Sequence, residues 1–160
     1  MRHLISLLLQ NEAGALARVA GLFASRGYNI ESLTVAATHD MDASRLTLVV
    51  FGDDAVVEQI VKQSAKLVDV IEVSQLSGDD YVERELLVAH VETDDVPAID
   101  TCLGRFGARL LQRTGDRSVI EYTGRAEDID AFLEALRQAG RIADHARSGI
   151  AAIEWPLAVA

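Results

Sequence analysis

Two kinds of hydrophobic spacing alternate along this chain. Leu4 to Leu9 is apolar apart from Ser6, which suits a buried strand. Asn11-Glu12-Ala13-Gly14 interrupts it. Leu16, Val19, Ala20, Leu22 and Phe23 then recur at helical spacing, and Gly27 is placed to stop that helix. Ile30 to Ala37 is strand-like, His39-Asp40-Met41-Asp42 is a polar turn, and Leu46 to Phe51 is a further strand. Gly52-Asp53-Asp54 opens a second helix with Val57, Ile60, Val61 and Ser64 on one face. Val68 to Leu76 predicts a fourth strand. The order is βαββαβ.

After the polar stretch Ser77-Gly78-Asp79-Asp80, the same order returns. Glu85 to Val91 reads as a strand. Asp95 with Pro97 behind it marks a helix start, since proline in a first turn loses no bond. Ile99, Cys102, Leu103 and Phe106 form that helix's apolar side. Arg109 to Arg113 and Ser118 to Tyr122 are strands around a Gly115-Asp116 turn. Ala126 to Gln138 is a helix with Ile129, Phe132, Leu133 and Leu136 facing inward, Glu127 and Asp128 in its first turn, Arg137 in its last and Gly140 as its stop. Ile142 to Ile153 is the final strand, and Glu154 to Ala160 is a tail. The repeat lies in element order, because the halves share little residue identity. The pattern predicts an α+β protein of two ferredoxin-like βαββαβ domains, residues 1–77 and 78–160, each an antiparallel sheet with helices on one face. Units this small gain from a packing partner, so oligomerisation through a sheet edge or open face is expected.

Composition narrows the function. The 160 residues are 49% hydrophobic and 25% charged, which excludes disordered and fibrous classes. Twenty-five acidic and 15 basic residues give a net charge of −10, which argues against nucleic acid and against an anionic membrane surface. Residues 1–76 carry 6 basic and 9 acidic side chains, and residues 77–160 carry 9 and 16, so the second half holds most of the deficit. A single cysteine, Cys102, excludes an internal disulfide and fits a reducing compartment. No apolar run reaches membrane-spanning length, and the first apolar stretch is too short for a secretory signal. A cytoplasmic location is expected.

Catalytic chemistry is hard to find. His3, His39, His90 and His145 have no metal-ligand spacing, and no nucleophile elbow, phosphate loop or dinucleotide fingerprint is present. Asp53-Asp54, Asp79-Asp80 and Asp94-Asp95 all fall at turns or helix starts, where capping explains them. Cys102 reads as a buried, inert thiol. An enzyme in its own right, and any metal site, are therefore disfavoured. One segment suits a ligand better. Asn11-Glu12-Ala13-Gly14-Ala15-Leu16 joins the first strand to the first helix, whose opening N–H groups attract a carboxylate. Gly14 allows close approach to the backbone, and Asn11 offers both a donor and an acceptor to a zwitterion. Asn29 starts the second strand and approaches from another direction. The same residues also read simply as a turn and a helix start.

The run Asn11 to Val19, with Phe23 and with Arg26-Gly27-Tyr28-Asn29-Ile30-Glu31-Ser32-Leu33-Thr34-Val35, resembles an ACT domain. Arg26 to Val35 more narrowly resembles the small regulatory subunits of acetolactate synthase. Leu67-Val68-Asp69-Val70, Val82-Glu83-Arg84-Glu85 and Ala146-Arg147-Ser148-Gly149 resemble that family in order and spacing. Ala13, Ala17 and Ala37 depart mildly from its pattern, and the second half is less family-like than the first. The resemblance implies a chain without an active site or cofactor of its own. Its partner would be a large catalytic subunit that binds thiamine diphosphate, Mg2+ and FAD. The chain would activate that partner in branched-chain amino-acid biosynthesis and confer feedback inhibition by valine. It also implies a homodimer with valine at the ACT–ACT interface, held by Asn11, Gly14, Ala15 and Leu16 of one chain and by Asn29 and Ile30 of the other. A free-standing ACT-type amino-acid sensor with a different partner is the alternative.

Overall fold

A computed structural model describes residues 1–78 and 80–155 of the chain. Asp79, one of the paired carboxylates, and residues 156–160 of the expected tail lie outside the described residues. The chain forms two compact units. Met1–Val82 with the end of the last strand from Ile150 makes the first, and Glu83–Gly149 makes the second.

The first unit contains β1 (Arg2–Gln10), α1 (Ala15–Ser25), β2 (Ile30–Ala37), β3 (Ala43–Phe51), α2 (Asp54–Ser64) and β4 (Val70–Leu76). Its sheet runs in the order β2-β3-β1-β4, so β2 and β4 are its edges. All three pairings are antiparallel. Ile5, Leu7 and Leu9 of β1 and Leu46, Leu48 and Val50 of β3 alternate onto one sheet face. There they meet Val19 and Phe23 of α1 and Val57 and Ile60 of α2. That alternation places both helices on the same side, as a split βαβ unit requires. The Asp53 carboxylate caps α2 by accepting from the Val56 N–H at 2.8 Å. α1 has no such cap, and Gly14 stands at its N-cap position.

The second unit repeats the plan with β5 (Tyr81–Glu92), α3 (Val96–Phe106), β6 (Arg109–Thr114), β7 (Arg117–Gly124), α4 (Ala126–Ala139) and β8 (Arg141–Glu154). Its sheet order is β6-β7-β5-β8. Leu87, Ala89 and Val91 of β5 and Ile120 of β7 pack against Ile99, Cys102 and Leu103 of α3 and Ile129, Phe132, Leu133 and Leu136 of α4. Phe132 is ringed by Tyr122 and Phe106, with ring centroids 4.8 and 5.1 Å away. Asp95 caps α3 through the Ala98 N–H at 3.1 Å, with proline in the first turn. α4 ends at Gly140, whose backbone is extended. A Cβ there would stand 2.9 Å from the Glu92 carbonyl oxygen, so close packing rather than left-handed backbone demands glycine.

The α+β architecture of two βαββαβ units is as expected, but several strand boundaries differ: β3 begins at Ala43 rather than Leu46, and β5 at Tyr81 rather than Glu85. The fourth strand begins at Val70, not Val68. After α2 the chain makes turn bonds from Leu67 N–H to Ser64 O and from Val70 N–H to Leu67 O, and these leave Val68 82% exposed. A β-prone residue is spent on a turn because the backbone there is already paired locally. Among the described residues no helix is long and apolar enough to cross a membrane.

Candidate functional site

Four of the six expected ligand residues gather where β1 leaves the sheet. The Asn11 backbone N–H donates to Asp42 O at 2.7 Å, and its side-chain Nδ2 donates to Met41 O at 2.8 Å. Its Oδ1 accepts from the Ser44 hydroxyl at 2.9 Å. Gly14 is left-handed, with φ 92°, a conformation that any side chain would strain. The Ala15 N–H donates to Glu12 O at 3.2 Å, and the Ala15 methyl is buried, so this residue offers a ligand little directly. Leu16 is partly exposed. The helical bonds of α1 start with Arg18 N–H to Gly14 O at 2.9 Å, and no side chain caps the turn before it. The opening turn of α1 therefore carries the uncompensated N–H groups and positive dipole end that favour a carboxylate.

Arg18 adds a charge that inspection of the sequence did not assign to the site. Its Nε and Nη2 donate to the two carboxylate oxygens of Asp69, the second at 2.6 Å. Asp69 is buried and its carbonyl oxygen also accepts from the Gln10 N–H at 2.8 Å. This bidentate pair holds the Asp69 carboxyl below its ordinary pKa and the Arg18 guanidinium above its own, the shared hydrogen bonds being the main cause in both. The remaining guanidinium nitrogen, Nη1, is turned to Gly14. It lies 2.9 Å from where a Cβ at residue 14 would stand. The absent side chain at Gly14 thus leaves room for a cationic group beside the helix start.

Asn29 and Ile30 lie elsewhere. Ile30 pairs with Val50, whereas Ala37 at the other end of β2 pairs with Ser44, the partner of Asn11. Val50 and Ser44 lie six positions apart along β3, about 20 Å of strand. Asn29 is exposed, and Ile30 is partly buried against the first core. One chain does not bring the two groups around a single small molecule.

The other segments singled out from the sequence meet in pairs. Arg18 and Asp69 join the Asn11–Val19 and Leu67–Val70 segments, which lie about fifty residues apart along the chain. In the second unit, Arg147 donates through Nε and Nη2 to Glu85 at 2.9 and 2.7 Å and through Nη1 to Asp130 at 2.6 Å. The Leu86 N–H donates to the Ser148 hydroxyl at 3.0 Å. Glu83 is buried, and its Oε1 accepts from the Ala126 N–H at the start of α4. Glu85 and Leu86 of β5 thus meet Arg147 and Ser148 of the neighbouring strand β8. Cys102 is buried, and burial pushes its thiol pKa up, away from nucleophilic use.

Known proteins match the chain along nearly its whole length. Residues 5–72 match the family model described as "AHAS small subunit-like ACT domain", and residues 84–155 match "Small subunit of acetolactate synthase". The probable acetolactate synthase small subunit of Archaeoglobus fulgidus is 45% identical, over 93% of this chain and 94% of that protein. The acetolactate synthase isozyme 3 small subunit of Escherichia coli is 42% identical, over 94% of this chain and 93% of that protein. The crystal structure of the acetolactate synthase small subunit from Thermotoga maritima superposes with a TM-score of 0.87 at 36% identity, covering 96% of this chain and 97% of that one.

Proposed function

Since the chain belongs to the acetolactate synthase small-subunit family, we propose that it is a regulatory subunit whose ligand is a branched-chain amino acid, with valine the first candidate. It acts on a large catalytic subunit that carries out the thiamine-diphosphate chemistry in the cytoplasm. The thiamine diphosphate, Mg2+ and FAD of that reaction belong to the partner. No residue of this chain is assigned to them.

The observation that carries the ligand reading is the separation of Asn11 and Gly14 from Asn29 and Ile30 across the first sheet. β2 is an edge strand of its sheet, the position from which a second copy can extend it. Two copies related by a twofold axis pair their β2 strands antiparallel, and that sets the start of one β2 beside the end of the other. Asn29 and Ile30 of the second copy then approach the Asn11–Leu16 corner of the first. The carboxylate of the effector meets the opening N–H groups of α1 and the Arg18 Nη1 side. Its ammonium meets the Asn11 carbonyl group, and its side chain meets Ile30 and Leu16. A ligand gripped by two chains binds one quaternary arrangement better than another, which is how it regulates a distant active site.

The match of residues 84–155 to the small-subunit model favours this reading over a free-standing ACT sensor. The test is acetolactate formation by the catalytic subunit alone and with this chain, each with and without valine. Stimulation by the chain and inhibition that appears only in its presence are expected. A rate indifferent to the chain overturns the regulatory role. Stimulation without any response to valine, leucine or isoleucine overturns the effector.

A further inference from the structure

Asn11 is bound on one side before any effector is considered. Its backbone N–H, side-chain Nδ2 and side-chain Oδ1 all engage the β2–β3 connection, through Asp42 O, Met41 O and the Ser44 hydroxyl. A carboxamide has two N–H donors and two acceptor lone pairs. Met41 O takes one donor and Ser44 takes one lone pair, so among the described residues one of each is left. The Met41 carbonyl can only accept, which forbids the flipped amide. Ser44 is 7% exposed, and its hydroxyl holds the other end. The hairpin, residues 38–43, is closed by Thr38 N–H to Ala43 O at 2.9 Å and Ala43 N–H to Asp40 O at 3.1 Å.

We propose that Asn11 is a two-sided relay, with Ser44 as the positioning residue that aims it. One N–H and one lone pair hold the β2–β3 hairpin, and the remaining pair meets the effector. Effector occupancy and hairpin order are therefore coupled through a single side chain, and the coupling is reciprocal. This rests on the effector reading given above and adds two elements to it: a residue that never touches the ligand, and the segment that responds to it.

The experiment titrates the full chain with L-valine by calorimetry and follows hydrogen exchange of the hairpin amides with and without valine. Wild type, Ser44→Ala, Ser44→Thr and Asn11→Ala are compared. Valine slows exchange at Thr38 and Ala43 in the wild type. Ser44→Ala binds valine about five- to tenfold more weakly and loses that slowing. Ser44→Thr keeps the hydroxyl and stays within about twofold of wild type. If Ser44→Ala binds like wild type while Asn11→Ala does not, the relay is wrong and the effector site stands. If Asn11→Ala also binds like wild type, the effector reading itself fails. Should Ser44→Ala not fold, wild-type and Ser44→Thr exchange decide: valine binding without slower exchange at residues 38–43 overturns the relay.

Discussion

Replacing Gly14 by alanine and by aspartate separates backbone strain from charge at the helix start. Residue 14 has φ 92°, and left-handed backbone costs an ordinary L-residue about 1–2 kcal/mol. The new Cβ also meets Arg18 Nη1 at 2.9 Å, so the guanidinium must move, at the expense of its pairing with Asp69. Gly14→Ala therefore lowers the unfolding free energy by about 1–2 kcal/mol, on the order of 2–8 °C in Tm. Aspartate tolerates left-handed backbone better than alanine and reaches Arg18 as a new partner one helical turn away. Gly14→Asp is thus the less destabilised of the two. Its effect on the effector is opposite. On the effector reading proposed above, it puts a carboxylate where the ligand's carboxylate belongs, a repulsion of about 1–4 kcal/mol, and occupies the Arg18 nitrogen as well. The two variants rank one way in stability and the reverse way in valine affinity. Denaturant unfolding and calorimetric titration of both measure the two rankings. Equal valine affinity in Gly14→Asp and Gly14→Ala refutes a ligand carboxylate at this corner.

Other expectations follow from single contacts. Asn29→Ala weakens valine binding by about 1–3 kcal/mol through one lost hydrogen bond. Asn29 is exposed, so thermal unfolding moves little, and a large loss of Tm with intact valine binding contradicts its placement. The Asp69 pKa is lowered in the folded chain, so its contribution to stability is present above the ordinary carboxylate pKa and is lost as pH falls through the lowered value. Asp69→Asn is accordingly less stable at neutral pH and loses less stability than wild type on acidification below about pH 5, as urea midpoints across pH report. Phe132→Ala removes a fully buried ring from the second core and costs about 3–5 kcal/mol, read by denaturant unfolding of the full chain. Asp53→Ala removes the α2 cap and costs about 0.5–2 kcal/mol by the same measurement.

The element order was legible because both hydrophobic periods are clean. Val19 and Phe23 of α1 repeat at helical spacing, and Leu46, Leu48 and Val50 alternate along β3. Asp53 and Asp95 were legible as helix starts because a cap is a local device. Val68 misled because β-propensity says nothing about turn bonds formed by the residues around it. The Asn11–Leu16 segment was legible as a helix start with Gly14, but the place of Arg18 beside it was not, since its partner Asp69 lies 51 residues away. Ser44 was hidden for the same reason, 33 residues from Asn11. That Asn29 stands far from Asn11 follows only from strand direction and register, because β2 starts against Val50 while β1 ends against Ala43 at the other end of β3.

The Arg147 bridge to Glu85 and Asp130 has a consequence for building hybrids between relatives. The second compact unit opens at Glu83 and closes at Gly149, and its entrance and exit run on adjacent strands riveted together by that guanidinium. Such a segment is a cassette with neighbouring ends. A graft cut between residues 85 and 147 inherits half of an ion cluster and strands the other half. A graft that carries residues 83–149 whole brings its own clasp. Related small subunits can then exchange this cassette while the Asn11 corner stays with its original sheet.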